Sequence, residues 1–301
     1  MKVKKILLDN ALESWSIAIK YCKYIKNGLS TLHYKKTFVS SLHNSIELFF
    51  KQIMLDKEDK TVIDHIVVKN EDIAKLQLEF YQTKNLNKFF EGMDAKHRNK
   101  FYSIEFSRLV DKNKLIKPTL DRLGIQSIKE ELELLQELRN HETHFYISSL
   151  DYLSEVDFVK IHNLMKIIYE IIEDNDFLPY WGEPSNEYRH LEFKEKDLKK
   201  FSYIEALKSS PITQSIVTVL NGKQHFYFEE NPFNLTEQYF EELVEQNESA
   251  NHDFNDVLSI ITLLKQYGLL HFIQIGDYEE FEGENGELFY SQVYYVIEIN
   301  I

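Results

Sequence analysis

The sequence predicts a mainly α protein: an N-terminal four-helix bundle carrying an inserted segment, followed by a smaller α+β domain. Three observations lead there. Apolar residues recur at alternating three- and four-residue steps through four long stretches, the spacing of a buried helical stripe. Only 9 Gly and 5 Pro interrupt 301 residues that include 21 Phe and 18 Tyr, a composition for ordered helices. Past the two prolines of 178–185 the pattern changes to shorter helices and β-rich runs.

The first helix is expected over 3–26, with Leu8, Leu12, Trp15, Ile19 and Cys22 on one stripe. Asn27 and Gly28 close it, Gly being the residue best suited to a left-handed cap. Ser30 or Thr31 can cap the second helix, over 31–55, whose seam is Val39, Leu42, Ile46, Phe49 and Ile53. Beside that seam His43, Glu47 and Lys51 stack at four-residue spacing. Residues 56–125 read as an insertion of short helices and loops, helical at 73–81 and 100–110, broken by charged and Asn-containing pieces.

Ser127 and Glu130 fit a capping box at the start of a third helix. Ile128, Leu132 and Leu135 form its seam, and the next seam position is Arg139. A guanidinium buried without a partner costs several kcal/mol, so Arg139 needs a carboxylate or an opening. Ser154 begins the fourth helix, with Phe158, Ile161, Met165, Ile168 and Ile172 inward.

The second domain is placed at 178–301, the first at 1–177. In the second, a helix is expected at 196–221, a strand at 225–228, helices at 236–247 and 254–267, and strands at 270–275 and 288–299 around an Asn285-Gly286 turn. That order is winged-helix-like. Its would-be recognition helix, 254–267, holds one Lys and is mostly apolar, which argues against reading DNA and for binding a partner or dimerising.

Charge divides the same way. Residues 179–301 hold 8 Lys+Arg against 22 Asp+Glu and account for the whole net charge of −14. The neutral first part can therefore meet an anionic substrate, and the second part disfavours one. A lone Cys excludes a disulfide framework. The opening lacks a secretory pattern and no apolar run nears the ~20 residues of a membrane span, so a soluble cytoplasmic protein is expected.

The chemistry concentrates in Arg139-Asn140-His141-Glu142-Thr143-His144. A guanidinium, a carboxamide and an imidazole suffice to cleave an RNA phosphodiester without metal. His141 and His144 lack a third ligand at a diagnostic spacing, so no metal is expected, and without a Gly-rich phosphate loop no nucleotide cofactor is either. An Arg five residues before a His arises by chance roughly 0.2 times in such a chain; the broken seam and the adjacent Asn140 single this one out.

This motif, with the Glu47/Lys51 pair of the second helix, resembles the HEPN superfamily of helical-bundle ribonucleases over residues 3–176, the 56–125 insertion apart. The resemblance implies metal-independent RNA cleavage at a site completed across a homodimer. Arg139 would bind the scissile phosphate, His144 would serve as acid or base, Asn140 would orient phosphate or imidazole, and Glu47 would hold the guanidinium. His141 could stand in for His144. Lys20, Lys23, Lys26, Lys35, Lys36 and Lys51 are the candidates for guiding RNA. A toxin or anti-phage effector silenced by an antitoxin or other regulatory partner is the implied setting. The alternative is a non-catalytic scaffold for a partner such as a nucleotidyltransferase.

Overall fold

Four long helices bury the stripes read from the sequence, Leu8 alone of the first stripe being half-buried, in a computed structural model that describes residues 5–111, 113–144, 152–178, 198–221, 226–228, 253–275, 280–282, 288–290 and 293–301. The described chain is mainly α. Helix α1 (Leu8–Lys26) buries Leu12, Trp15, Ile19 and Cys22. It stops at Gly28, where φ is +94° and a Cβ would stand 2.8 Å from the carbonyl oxygen of Ala206. Glycine is required there twice over, by conformation and by space. Thr31 then accepts the Tyr34 amide at 3.4 Å and opens α2 (Leu32–Asp56). All five predicted seam residues of α2 are buried, and Trp15 meets Phe49 edge-on at 6.3 Å.

The insertion is more ordered than its sequence suggested. It runs β1 (Ile63–Ile66), α3 (Glu71–Gln82), α4 (Leu86–Glu91), α5 (Ala95–Arg98), β2 (Phe101–Ser103), α6 (Phe106–Leu109) and α7 (Asn113–Leu123). The Asn residues that break the helical pattern in the sequence are caps: Asn70 accepts the Ile73 amide and Asn85 the Lys88 amide. The stretch 100–110, expected to be helical, starts instead as β2, antiparallel to β1 with Ile66 opposite Phe101. Phe80, Phe89, Phe90 and Phe101 meet edge-on or tilted, and this aromatic core holds β2 extended and leaves only the single turn α6.

Helix α8 (Lys129–His144) begins where Ser127 accepts the Lys129 amide at 3.0 Å. Helix α9 (Glu155–Asp174) is capped by Ser154 and buries its whole predicted seam. Phe158 of α9 packs on Phe38 of α2. Tyr152 donates to the Leu138 carbonyl at 3.3 Å, fastening the entry of α9 to α8.

The remaining elements are α10 (Tyr203–Ser209), α11 (Pro211–Asn221), β3 (Phe226–Phe228), α12 (Phe254–Gln266), β4 (Leu270–Ile275), β5 (Glu280–Glu282), β6 (Leu288–Tyr290) and β7 (Val293–Ile299). The single helix expected over 196–221 is two, because Pro211 lacks an amide hydrogen and starts a new helix at its first position. The strand expected over 288–299 is β6 and β7. Strands β3 and β4 flank β7 antiparallel, and β5 pairs with β6. Leu207, Ile216, Val257, Ile260 and Leu264 lead this region's core. The helix expected at 236–247 and the Asn285-Gly286 turn lie outside the described residues.

The chain divides into two compact units, Met1–Cys22 with Lys35–Phe201, and Lys23–Tyr34 with Ser202–Ile301. The division therefore falls past the 177/178 boundary read from the sequence. Leu198 exchanges two hydrogen bonds of 3.0 Å with Asn163, and Phe201 packs on Phe158, which keeps both in the first unit. Tyr34 donates to Asp256 at 2.7 Å within the second. Among the described residues no helix is long and apolar enough to cross a membrane.

Candidate functional site

The polar row of α2 forms the base of the site, within the first unit. Four-residue spacing stacks His43, Glu47 and Lys51 along one edge of the helix, next to its buried seam. Lys51 is 6 % exposed. Its ammonium ion-pairs with Glu47 and donates to the Ser103 hydroxyl of β2 at 2.9 Å. The other Glu47 oxygen lies 3.9 Å from Nδ1 of His43.

His43 is 8 % exposed and lies against the ring of Phe106, centroids 4.0 Å apart. Its Nε2 stands 3.1 Å from Oε1 of Gln136 on α8, and Gln136 donates from Nε2 to Oδ1 of Asn140 at 2.9 Å. A hydrogen-bonded line thus runs from the base of the site to the Asn of the motif. Burial pushes the His43 pKa below its ordinary value; Gln136 and Glu47 oppose that, and Arg139 and Lys51 add to it. The imidazole is neutral at neutral pH.

Arg139 is half-buried on α8, near enough to His43 for its charge to act on the ring. The apolar stripe does not end at Arg139, as the heptad-like count suggested; Leu138, one residue earlier, continues it. Glu47, expected to hold the guanidinium, ion-pairs with Lys51, one turn along the same helix. A buried ammonium needs a counter-ion, which is the physical reason.

Helix α8 keeps helical backbone through His144. At 3.6 residues per turn, Gln136, Asn140 and His144 share one stripe at successive steps of about 40°, and Arg139 lies about 140° from His144. The side chains of Glu142, Thr143 and His144 lie outside the described residues. His141 is half-buried, its Nε2 3.8 Å from Glu137 one turn back.

An open groove of about 350 Å³ runs beside this stripe, lined in part by Gln136, Asn140 and His141. Its charged wall holds Asp111, Glu133 and Glu137 against Lys129. Among the described residues no group of three or more His, Cys, Asp and Glu is placed to hold a metal ion.

The lysines chosen as RNA guides scatter. Lys35 is fully buried and Lys51 is engaged inside, so neither can meet RNA from solution. Lys20 is exposed and Lys36 half-buried in the first unit, while Lys23 and Lys26 belong to the second. Three participants escaped the sequence reading. The sequence places His43 in the polar row beside the seam and gives no sign that its ring is buried. Gln136, four residues before Asn140, was legible by spacing. Phe106 was not, since only the folded insertion brings it to His43.

Comparison with protein families, curated proteins and solved structures finds no match to this chain.

Proposed function

We propose that this chain is a metal-independent endoribonuclease of HEPN type, acting as a toxin or anti-phage effector under the control of a partner. The observation that carries the reading is that the Arg139 charge acts on His43 of the buried α2 row and that Asn140 is hydrogen-bonded to that row through Gln136, with His144 one turn beyond Asn140 on α8.

In this reading the ribose 2′-oxygen attacks the adjacent phosphorus while the bond to the 5′-oxygen breaks. Arg139 neutralises the charge gathering on the phosphoryl oxygens, as a guanidinium does best in bidentate contact. Asn140 donates to the same group. His144 moves the proton, and the second imidazole that removes one proton while another is delivered comes from a second copy of the chain. Both catalytic cations sit in the last turns of α8, where the helix dipole favours positive charge. The products are a 2′,3′-cyclic phosphate and a 5′-hydroxyl.

The test is incubation of purified protein with total RNA in EDTA, beside Arg139→Ala and His144→Ala. Wild type should cut and both variants should lose roughly 10²-fold or more of the rate. Equal integrity of the RNA in all three would dismiss the reading.

One observation favours a second reading. Asp111, Glu133 and Glu137 make the groove wall acidic, which suits a basic segment of a protein partner better than a nucleic acid. The chain would then be a binding scaffold, and its induction in cells would be harmless. The second unit, with its 22 acidic against 8 basic residues beyond 178 and its winged-helix-like order, fits partner binding or dimerisation in either reading.

A further inference from the structure

We infer that His43 and Gln136 form a positioning relay that sets which face the Asn140 carboxamide presents to the substrate. The inference rests on the ribonuclease reading for its consequence, not for its geometry. Two of the three groups are amides, whose two ends are nearly identical in shape and opposite in hydrogen-bonding sense. Left to itself, Asn140 could turn either its oxygen or its nitrogen toward a bound phosphate, and only the nitrogen attracts one.

The line of bonds removes that choice. His43 Nε2 faces Oε1 of Gln136 at 3.1 Å, so the imidazole donates there. With its oxygen committed, Gln136 donates from Nε2 to Oδ1 of Asn140 at 2.9 Å. The Asn140 oxygen is thereby turned toward Gln136 and its nitrogen away from it. The polarity starts from which ring nitrogen of His43 carries the proton. Nε2 carries it, because the Gln136 oxygen that it faces at 3.1 Å can only accept, whereas Nδ1 has the nearest Glu47 oxygen beyond hydrogen-bond distance at 3.9 Å. Phe106 lies on the ring and fixes its plane. Charged groups face His43 from two elements: Glu47 and Lys51 on α2, Arg139 on α8.

Neither His43 nor Gln136 touches substrate in this account; both act through Asn140. Three substitutions separate that role from simple support. Gln136→Glu keeps an acceptor for His43 but can only accept from Asn140, so the Asn140 amide must turn over. His43→Leu keeps an apolar side chain on Phe106 and changes no charge at neutral pH. His43→Gln retains an N–H donor near the position of Nε2. The side-chain amide signals of Asn140 in 15N-labelled protein, assigned with Asn140→Ala, are read alongside cleavage of RNA in EDTA.

The relay predicts that the Asn140 amide protons of Gln136→Glu move downfield as they begin to donate to a carboxylate. It predicts that kcat falls about 10²-fold in Gln136→Glu and His43→Leu, and that His43→Gln regains most of the loss. If wild type cuts RNA and His43→Leu stays within twofold of it, the relay is overturned. If wild type does not cut RNA, the ribonuclease reading fails and the amide signals alone decide. Signals unchanged in Gln136→Glu overturn the relay, and a downfield displacement upholds it.

Discussion

The imidazole of His43 rests on the ring of Phe106, with centroids 4.0 Å apart and planes inclined by 28°. The contact joins α2 to the insertion. It makes the insertion part of the site, because the segment between the second and third long helices supplies the surface that keeps His43 dry. Phe106→Ala removes a buried ring and opens that surface. It should destabilise the protein by about 3 kcal/mol, measured by denaturant unfolding. It should also raise the His43 pKa toward its ordinary value, measured by NMR titration of the ring.

Acid should act through the same histidine. Its folded-state pKa is lowered, chiefly by burial, so below the ordinary value of about 6.5 the unfolded chain binds a proton that the folded chain resists. Stability is therefore full above that pH and falls as the pH drops toward the folded-state value. The slope from this one group is at most about 1.4 kcal/mol per pH unit. His43→Gln should remove this component from the pH dependence of unfolding below about pH 6.5, leaving the carboxylate transitions.

Lys51 is part of the framework rather than a hand for RNA. Lys51→Met keeps the aliphatic stem and leaves Glu47 without its ammonium. The expected cost is about 2 kcal/mol, less than for a fully buried pair because Glu47 is a quarter exposed. RNA affinity should show an unchanged salt dependence, since Lys51 contacts no phosphate. A shallower slope in a filter-binding series would return it to the RNA surface.

Gly28 should tolerate no side chain. With φ at +94° and a Cβ position 2.8 Å from backbone oxygen, Gly28→Ala must shift the chain around Ala206. A loss of roughly 2 kcal/mol or more follows, read as a lower midpoint of thermal unfolding.

The four long helices were legible because their stripes repeat over many turns, as in Val39 to Ile53 and Phe158 to Ile172, where packing and local spacing agree. Caps at Ser154 and Thr31 were legible for the same reason. The insertion was not. Whether Phe101-Tyr102-Ser103 is helix or strand depends on β1, which is more than thirty residues away in the chain. Arg139 shows the limit on the site: counting in fours put it on the seam, whereas Leu138 fills that place and lets the guanidinium sit at the edge. His43 shows the other limit. A lone histidine on a helix has no signature, and its character comes from Phe106 and Gln136, which only tertiary structure brings to it.

In the proposed ribonuclease reaction the ribose 2′-hydroxyl is the nucleophile and no metal takes part. The most direct measurement uses a short RNA, mapped for its cleavage site, and the same strand with a single 2′-deoxyribose on the 5′ side of that bond, both in EDTA. The all-ribose strand should yield a 2′,3′-cyclic phosphate and a 5′-hydroxyl while the substituted strand stays whole at that bond. Cleavage of the deoxy-substituted bond at an equal rate, or an all-ribose strand left whole until a divalent metal is restored, would contradict it.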